Sequence, residues 1–559
     1  MRKTIAACVV ATLFTTAVMA QSAPKWASKV SKGIVSVMTY DKNDNLLHSG
    51  TGFFINTRGE AVADYAVFEG ASKAVVLDAT GKKYDVDYIL GADETYGLVK
   101  FSAKIGKNDA IQPVVSVQNI GATVYALAYS PKDPSFQAAT ISEVSAINDS
   151  VKYYATSKAI DGKFNSCPAF TQDGQLFGMV QPSMGGKGYI LDVNHLRTLV
   201  ISAIPSKKEA LALDKININK GLPPSVGESL VYLFFKSRTA SNEDYLSMLN
   251  LFIKTYPDNP EGYLRRATPL TDLLRFDEAE NDLQTYLKLA PERDQALYNV
   301  CQLIHNKLIY QPEHKYEKWT FERAMGLIDE ALTINPKLDY KLEKAQLHVA
   351  MQEYDKAYAI YDELNHGSDR SPATLYAASL AAEARGDSLN EVIELMDSAL
   401  AMFPTPRPAE AADFVLRRGR LFNAAGKYRD AVKDYNEFCF LSNNKVNSTF
   451  YYDKAQLETK ARMYQQAIQD IESAISAEPR EPLYYLEKCG IMLRVNQLDE
   501  AVKAAQQTLQ LDSQNADAYR MLGYALLQKG DKTGALQNLN RAKELGDEAA
   551  QEIINTYLK

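Results

Sequence analysis

The sequence predicts a protein of two folded parts, an all-β domain followed by an all-α array of repeated helical pairs. Short runs rich in β-branched and aromatic residues, separated by turn residues, fill residues 28 to about 200. From about residue 222 onward the chain reads as repeated helical pairs, and between residues 451 and 535 similar residues recur every 34 positions, a period typical of such pairs. The length of 559 residues supports this division, because one hydrophobic core rarely serves so long a chain.

Residues 1–20 are expected to be a signal peptide. Arg2 and Lys3 give a basic start, residues 5–14 form an apolar run, and small residues lead up to Ala20. This three-part layout is typical of secretion, and the apolar run is too short to anchor the chain in a bilayer. We therefore expect cleavage after Ala20 and a periplasmic or secreted mature protein. No later run reaches 18 apolar residues, so no integral membrane span is expected.

Charge, cysteine spacing and motifs exclude several function classes. The formal net charge is -7, which argues against nucleic acid as a partner, because a phosphate backbone selects for a basic face. The mature chain has four cysteines without metal-ligand spacing, and we expect mostly buried thiols: Cys167, Cys301, Cys439 and Cys489. The sequence contains no phosphate-binding loop, zinc-protease motif or calcium loop, so no cofactor or metal is expected.

The β-rich stretch predicts a double β-barrel. Its strand-like runs include "GIVSVMTY", "GTGFFIN", "KAVVLDA", "ATVYALAYS" and "YILDV". The segments "TRGE", "ATGKK" and "TQDGQ" are typical of the turns between such strands.

Two stretches of this domain resemble a known family. "SGTGFFINTRGEAVADYAVFEGA" has a Gly-x-Gly-Phe strand, a turn and a Val-x-Glu-Gly-Ala run, and "AIDGKFNSCP" has the length of a nucleophile loop. On these residues, positions 28–200 resemble the trypsin-like domain of HtrA/Deg serine proteases. The resemblance implies a double barrel with a catalytic cleft.

The same resemblance implies that the catalytic triad is lost. The residue before the "VFEGA" run, where the family has its histidine, is Ala66. The aspartate position, before "LVKF", holds Gly97. The nucleophile position holds Asn165 without a gap, and Ser166 if the register shifts by one residue. A serine hydroxyl needs an adjacent base, and that base needs an orienting partner.

The remaining histidines and the loop glycines agree with this loss. His48 and His195 are the only histidines of the mature domain, and neither matches the position of the family's base. Lys163, Ser166 and Cys167 stand where the family has glycines, which let backbone amides converge on an oxyanion. We expect Cys167 to be a small buried residue.

The second half repeats at three independent columns. These are Tyr451, Tyr485 and Tyr519; Ala455, Cys489 and Gly523; and Ala467, Ala501 and Ala535. Small residues let two helices of a pair approach closely. The pattern resembles the tetratricopeptide (TPR) repeat, with an opening pair, eight units and a capping helix over 222–559, after a linker at 201–221.

The TPR resemblance implies a superhelix whose concave face is lined by the first helix of each pair. On the aligned units we expect that face to include Tyr452, Gln456, Leu486, Arg520 and Tyr524. Such a face would bind a protein or an extended peptide. The partner's identity and the oligomeric state stay open.

The sequence therefore predicts a non-catalytic binding or scaffold protein. Two alternatives stay open. The first is an active HtrA-like envelope endopeptidase with Ser166 or Cys167 as an unconventional nucleophile. The second is a TPR adaptor in which the barrel domain is only a structural cap.

Overall fold

The computed structural model describes residues 23–130, 135–147 and 151–558. The expected signal peptide lies outside the described residues. The chain forms two compact units, Met1–Pro291 and Glu292–Lys559.

The first unit contains two closed barrels of six strands each, which confirms the predicted all-β domain. The first barrel has the order β1-β2-β3-β6-β5-β4, from β1 (Ile34–Tyr40), β2 (Leu46–Phe54), β3 (Glu60–Asp64), β4 (Lys73–Leu77), β5 (Lys83–Asp93) and β6 (Leu98–Ala103). The second has the order β10-β11-β12-β9-β8-β7, from β7 (Thr123–Ala128), β8 (Ser135–Ala146), β9 (Lys152–Thr156), β10 (Pro168–Phe170), β11 (Leu176–Met184) and β12 (Lys187–Asp192). Four short helices accompany the barrels: α1 (Ala27–Val30), α2 (Tyr65–Phe68), α3 (Val193–Thr198) and α4 (Lys207–Asp214).

Alternation along the strands fills the barrel interiors. In β1, Val35, Val37 and Thr39 are fully buried, while the alternating residues Ser36, Met38 and Tyr40 are only partly so. Gly52 of β2 is needed for close strand approach, because a Cβ there would lie 2.8 Å from a Val37 methyl group and 2.9 Å from the Val62 carbonyl oxygen. The sequence pattern of each strand thus decides which of its faces enters the core.

The segment 201–221, expected to be a linker, packs on the first barrel. Ile201, Leu213 and Ile216 join that barrel's hydrophobic core. The amide of Ile89 in β5 donates to the Asn219 carbonyl at 2.8 Å, and the Gly221 amide donates to the Ile89 carbonyl at 2.8 Å. Because it buries apolar side chains and pairs with β5, this segment is an integral layer of the barrel domain.

Helical pairs follow, which confirms the predicted repeat array. The first unit holds α5 (Val226–Lys236), α6 (Asn242–Thr255), α7 (Pro260–Asp272) and α8 (Phe276–Leu289). The second unit holds α9 (Arg293–Tyr310), α10 (Phe321–Ile334), α11 (Leu338–Ala350), α12 (Tyr354–His366), α13 (Pro372–Arg385), α14 (Leu389–Leu400), α15 (Ala412–Ala424), α16 (Tyr428–Leu441), α17 (Ser448–Lys460), α18 (Tyr464–Ala477), α19 (Pro482–Arg494), α20 (Leu498–Leu511), α21 (Ala516–Gln528), α22 (Lys532–Glu544) and α23 (Glu548–Tyr557).

The columns of small residues lie where the two helices of a pair touch. A Cβ on Gly523 of α21 would lie 2.7 Å from Leu539 Cγ of α22. Ala455, Ala467, Ala501 and Ala535 are all completely buried. Short side chains therefore set the distance between the paired helices, which explains the period seen in the sequence.

Among the described residues, no helix combines the length and the hydropathy needed to cross a membrane.

Candidate functional site

The residues expected at the triad positions lie near one carboxylate, that of Asp64 at the end of β3. Its Oδ2 accepts a hydrogen bond from Ser166 Oγ at 3.0 Å, although 102 residues separate the two in sequence. Its Oδ1 accepts from the Ala66 amide at 2.9 Å and so caps α2. The Gly97 carbonyl accepts from the Tyr65 amide at 3.1 Å. The structure thus brings Ala66, Gly97 and the 159–168 loop close together around Asp64.

Backbone conformation fixes two of these positions. Gly97 has a φ of +58°, and Ser166 has a φ of +62°, which is uncommon for a residue with a side chain. A Cβ on Gly97 would meet only Asp64 Oδ1 at 3.6 Å and Gln181 Oε1 at 3.8 Å. Asp64 was not predicted from the sequence. A carboxylate at a strand end, two residues before the expected base, was the only sign of it.

The backbone amides of residues 163–167 all bond within the chain. Lys163 donates to Asp161 Oδ1 at 3.0 Å, and Phe164 donates to the Asp161 carbonyl at 2.9 Å. The amides of residues 165, 166 and 167 donate to the carbonyls of residues 162, 180 and 164 at 3.1, 2.9 and 3.1 Å. An oxyanion hole needs amides that point at the reacting oxygen. In this loop each of them already has a carbonyl or carboxylate acceptor.

Cys167 lies beneath this loop and is fully buried. Its Sγ lies 3.8 Å from the Lys163 carbonyl oxygen. Burial raises the pKa of the Cys167 thiol to about 12, although a hydrogen bond with Thr51 acts in the opposite direction. The thiol is therefore neutral at pH 7, whereas a nucleophilic cysteine must be a thiolate. The other three cysteines of the described chain are also free and buried.

His195 pairs with a different carboxylate. Its Nε2 lies 2.8 Å from Asp93 Oδ2, and its ring packs edge-on against Tyr96 at 5.2 Å. These three residues line a pocket of about 710 Å³ between the β5–β6 turn, α3 and α4. Ser166 is not among its lining residues. The other histidine of the barrels, His48, is exposed on β2.

On the repeat array, Tyr452, Gln456 and Leu486 lie partly exposed on the first helices α17 and α19. Gln456 Nε2 donates to Tyr452 Oη at 2.9 Å and to Glu487 Oε2 at 3.2 Å. The ring of Tyr452 also packs against that of Tyr484 at 5.3 Å. These contacts join the faces of two consecutive first helices into one polar and aromatic surface.

Arg520 has a structural role that the sequence did not reveal. Its Nε donates to Asp547 Oδ2 at 2.6 Å, and its Nη2 bonds to Asp517. Asp547 is the N-cap of α23, so Arg520 ties α21 to the last helix. Two carboxylates already neutralise this guanidinium. Tyr524 lies one turn further on and is partly exposed.

A glycine, Gly490, lies between the two halves of this face. Gln456, Gly490 and Tyr524 are 34 residues apart, so Gly490 occupies the position that carries a side chain in both neighbouring units. A Cβ on Gly490 would meet only Arg494 Nη1 at 3.3 Å and Met521 Cε at 3.9 Å. Gly490 is buried, and its carbonyl oxygen accepts a hydrogen bond from Arg494 Nη1 at 3.0 Å. The Arg494 guanidinium therefore lies beside this position.

Within the described ranges, no three His, Cys, Asp or Glu side chains are arranged to hold a metal ion.

Comparison with known proteins supports the repeat assignment. Residues 493–550 match the family model of the tetratricopeptide repeat. The chain is 22% identical over 317 residues to the DnaJ protein P58IPK homolog B of Oryza sativa subsp. japonica, which covers 54% of this chain and 59% of that protein. It is 22% identical over 320 residues to the DnaJ homolog subfamily C member 7 of Mus musculus, covering 49% of this chain and 65% of that protein.

A shorter match has a higher sequence identity. The DnaJ homolog subfamily C member 3 homolog of Dictyostelium discoideum is 36% identical over 85 residues, which cover 14% of this chain and 17% of that protein. The chain spans about six tenths of the length of the first two relatives. The family-model match thus lies within the helical half, at residues 493–550.

Proposed function

We propose that this chain is a non-catalytic scaffold that recruits a protein or an extended peptide through the first helices of its TPR-like array. The observation that carries the proposal is the continuous surface formed by Tyr452, Gln456 and Glu487 across α17 and α19. Partly exposed aromatic and amide side chains on adjacent helices offer both stacking area and hydrogen bonds to a peptide. The match of residues 493–550 to the TPR family supports the same class of function.

For the barrel pair, we propose a trypsin-like shell of HtrA/Deg type that no longer cleaves peptides. Two features support this proposal: Asp64 holds the Ser166 hydroxyl, and the amides of residues 163–167 bond internally. A serine nucleophile needs an adjacent general base, and the two histidines of the barrels lie elsewhere: His195 pairs with Asp93, and His48 is exposed on β2. The endopeptidase alternative therefore lacks a base, an oxyanion hole and a reactive thiol.

We further propose a periplasmic or secreted location, which rests on the layout of residues 1–20. Sequencing the amino terminus of the protein purified from its native envelope tests this step. A start at Gln21 supports it, and a start at Met1 contradicts it.

The recruiting face is tested by affinity capture from envelope extract with the mature chain. Tyr452→Ala combined with Gln456→Ala is expected to lose the captured partner. Gln469→Ala, an exposed residue on the second helix α18, is the matched control and should retain it. If the double variant and the control capture equally, the partner binds elsewhere and the proposed face is wrong.

A further inference from the structure

Helix α5 carries three exposed apolar side chains on one face. Val231, Phe234 and Phe235 are 40%, 44% and 43% exposed, and their spacing places them side by side. The two phenylalanine rings contact each other at 5.6 Å. The opposite face is occupied, because Tyr232 joins the core of the first barrel and Leu233 packs against α6. Neighbouring exposed aromatic residues of this kind mark interaction surfaces.

A charge stands at each end of this apolar stripe. Glu228 lies three residues before Val231 on α5, and Arg238 lies three residues after Phe235, in the turn that follows the helix. Glu228 Oε2 accepts from Ser225 Oγ at 2.7 Å, and the Arg238 guanidinium lies 4.8 Å from the centre of the Phe234 ring. Within the described part of the chain, neither charge has an ion-pair partner.

We propose that this α5 stripe, formed by Glu228, Val231, Phe234, Phe235 and Arg238, binds the same stripe of a second copy of the chain. The two helices pack antiparallel about a two-fold axis level with residue 233. Glu228 of each copy then lies level with Arg238 of the other, and Val231 lies level with Phe235.

Self-complementarity is what selects a second copy as the occupant. A two-fold interface uses one patch on both partners, so the patch must match itself. The α5 stripe does so, because its opposite charges lie at equal distances from its midpoint. A parallel arrangement would instead place like charges together, which is destabilising.

The size of the stripe predicts a weak dimer. A stable interface buries about 800 Å² on each partner, and three apolar side chains supply only part of that area. We expect a dissociation constant on the order of 10 to 100 µM. The two exposed ion pairs would add little affinity and would mainly fix the register.

Sedimentation velocity on the mature chain, from about 1 µM to about 300 µM, tests the proposal. The parent is expected to shift from monomer to dimer across this range. Phe234→Gln combined with Phe235→Gln should weaken association at least about tenfold, whereas Phe440→Gln, a 73% exposed phenylalanine on α16, should not. A parent that stays monomeric, or a dimer that survives the α5 variant, overturns the proposal.

Charge exchange and cross-linking test the antiparallel register. Arg238→Glu should weaken the dimer, and adding Glu228→Arg should restore it, with circular dichroism checking the α5 cap that Glu228 completes. In mild oxidant, a Val231→Cys chain should cross-link to a Phe235→Cys chain more readily than to itself. The four native cysteines of the described chain are buried, so we expect them not to form competing cross-links. Equal self-cross-linking, or a failed restoration, contradicts the proposed register.

Discussion

Arg418 of α15 joins two neighbouring helical pairs. Its Nε and Nη2 donate to the two carboxylate oxygens of Asp434 in its own pair at 2.9 and 2.7 Å, and its Nη1 donates to Asp397 of the preceding pair at 2.8 Å. The same arrangement recurs in the first unit, where Arg266 donates to Asp282 and to Asn250. These side chains hold consecutive repeats together at a fixed position of the 34-residue unit.

Replacing Arg418 with methionine is therefore expected to cost about 3–5 kcal/mol, because the side chain of Asp434 is 4% exposed and would be left as an unpaired buried charge. Adding Asp434→Leu should recover most of this loss. Chemical denaturation followed by circular dichroism measures both. The control is Lys433→Met, whose ion pair with Asp430 is exposed and should contribute less than about 1 kcal/mol. Equal costs for the two single variants would contradict the stacking role of Arg418.

Glu458 predicts a pH dependence of stability. It is completely buried on α17, beside Lys454 and Asp470. Burial raises the pKa of Glu458 to about 8, while Lys454 acts in the opposite direction and Asp470 adds to the rise. The folded protein thus favours the neutral acid. Its contribution to stability is complete below the unfolded-state pKa of 4.5 and is lost as the pH rises through about 8.

Glu458→Gln keeps the shape and removes the titration. We expect the variant to be more stable than the parent by about 1–3 kcal/mol above the folded pKa and to differ little at acidic pH. Thermal unfolding across this range measures the difference. A parallel set with Glu472→Gln, which replaces an exposed carboxylate on α18, should show no such pH dependence of the stability difference. A stability difference that is independent of pH would show that Glu458 does not titrate as described.

The contacts around Asp64 lead us to expect no peptide hydrolysis, whichever residue stands at position 166 or 167. The parent, Ser166→Ala and Cys167→Ala should be equally inactive on labelled casein. Asp64→Ala, which frees the Ser166 hydroxyl, should remain inactive as well and lose about 1 kcal/mol of stability through the α2 cap. Hydrolysis by the repurified parent that Ser166→Ala abolishes would restore the endopeptidase alternative.

Trp26 anchors the start of the described chain to the second barrel. Its Nε1 donates to the Gln172 carbonyl at 3.1 Å, and its ring packs against Phe170 at 5.2 Å. Gly174 adopts a φ of +84°, and a Cβ there would lie 2.6 Å from the indole ring. Gly174→Ala should therefore strain the backbone and displace Trp26.

Gly81→Ala is the matched control, because Gly81 has a φ of +85° and nothing within 4 Å of an added Cβ. It should cost about 1–2 kcal/mol for the left-handed backbone alone. Gly174→Ala should cost about 1–3 kcal/mol more. The chain has two tryptophans, so a Trp319→Phe background lets Trp26 fluorescence report the loss of this contact during unfolding. Equal costs for the two glycine variants would mean that the indole can move aside freely.

Much of the candidate site could be located from the sequence, but the hydrogen-bond partners of its residues could not. The resemblance to HtrA/Deg proteases indicated Ala66, Gly97 and the 159–168 loop, and the structure brings them close to Asp64. Asp64 was missed because its partner Ser166 lies 102 residues away, and such a contact leaves no spacing to read. Arg520 was expected on an open binding face, yet its guanidinium donates hydrogen bonds to Asp517 and Asp547.

The sequence by itself determined the alternating strands of the barrels and the 34-residue helical unit, because both depend on which side chains recur along one face of a local element. The tertiary structure alone decided three other features. These are the packing of residues 201–221 on the first barrel, the hydrogen bond between Ser166 and Asp64, and the exposure of Phe234 and Phe235 on α5. Each of these depends on which distant surfaces become neighbours once the elements pack. That choice is made by the complementarity of whole faces rather than by any residue pattern along the chain.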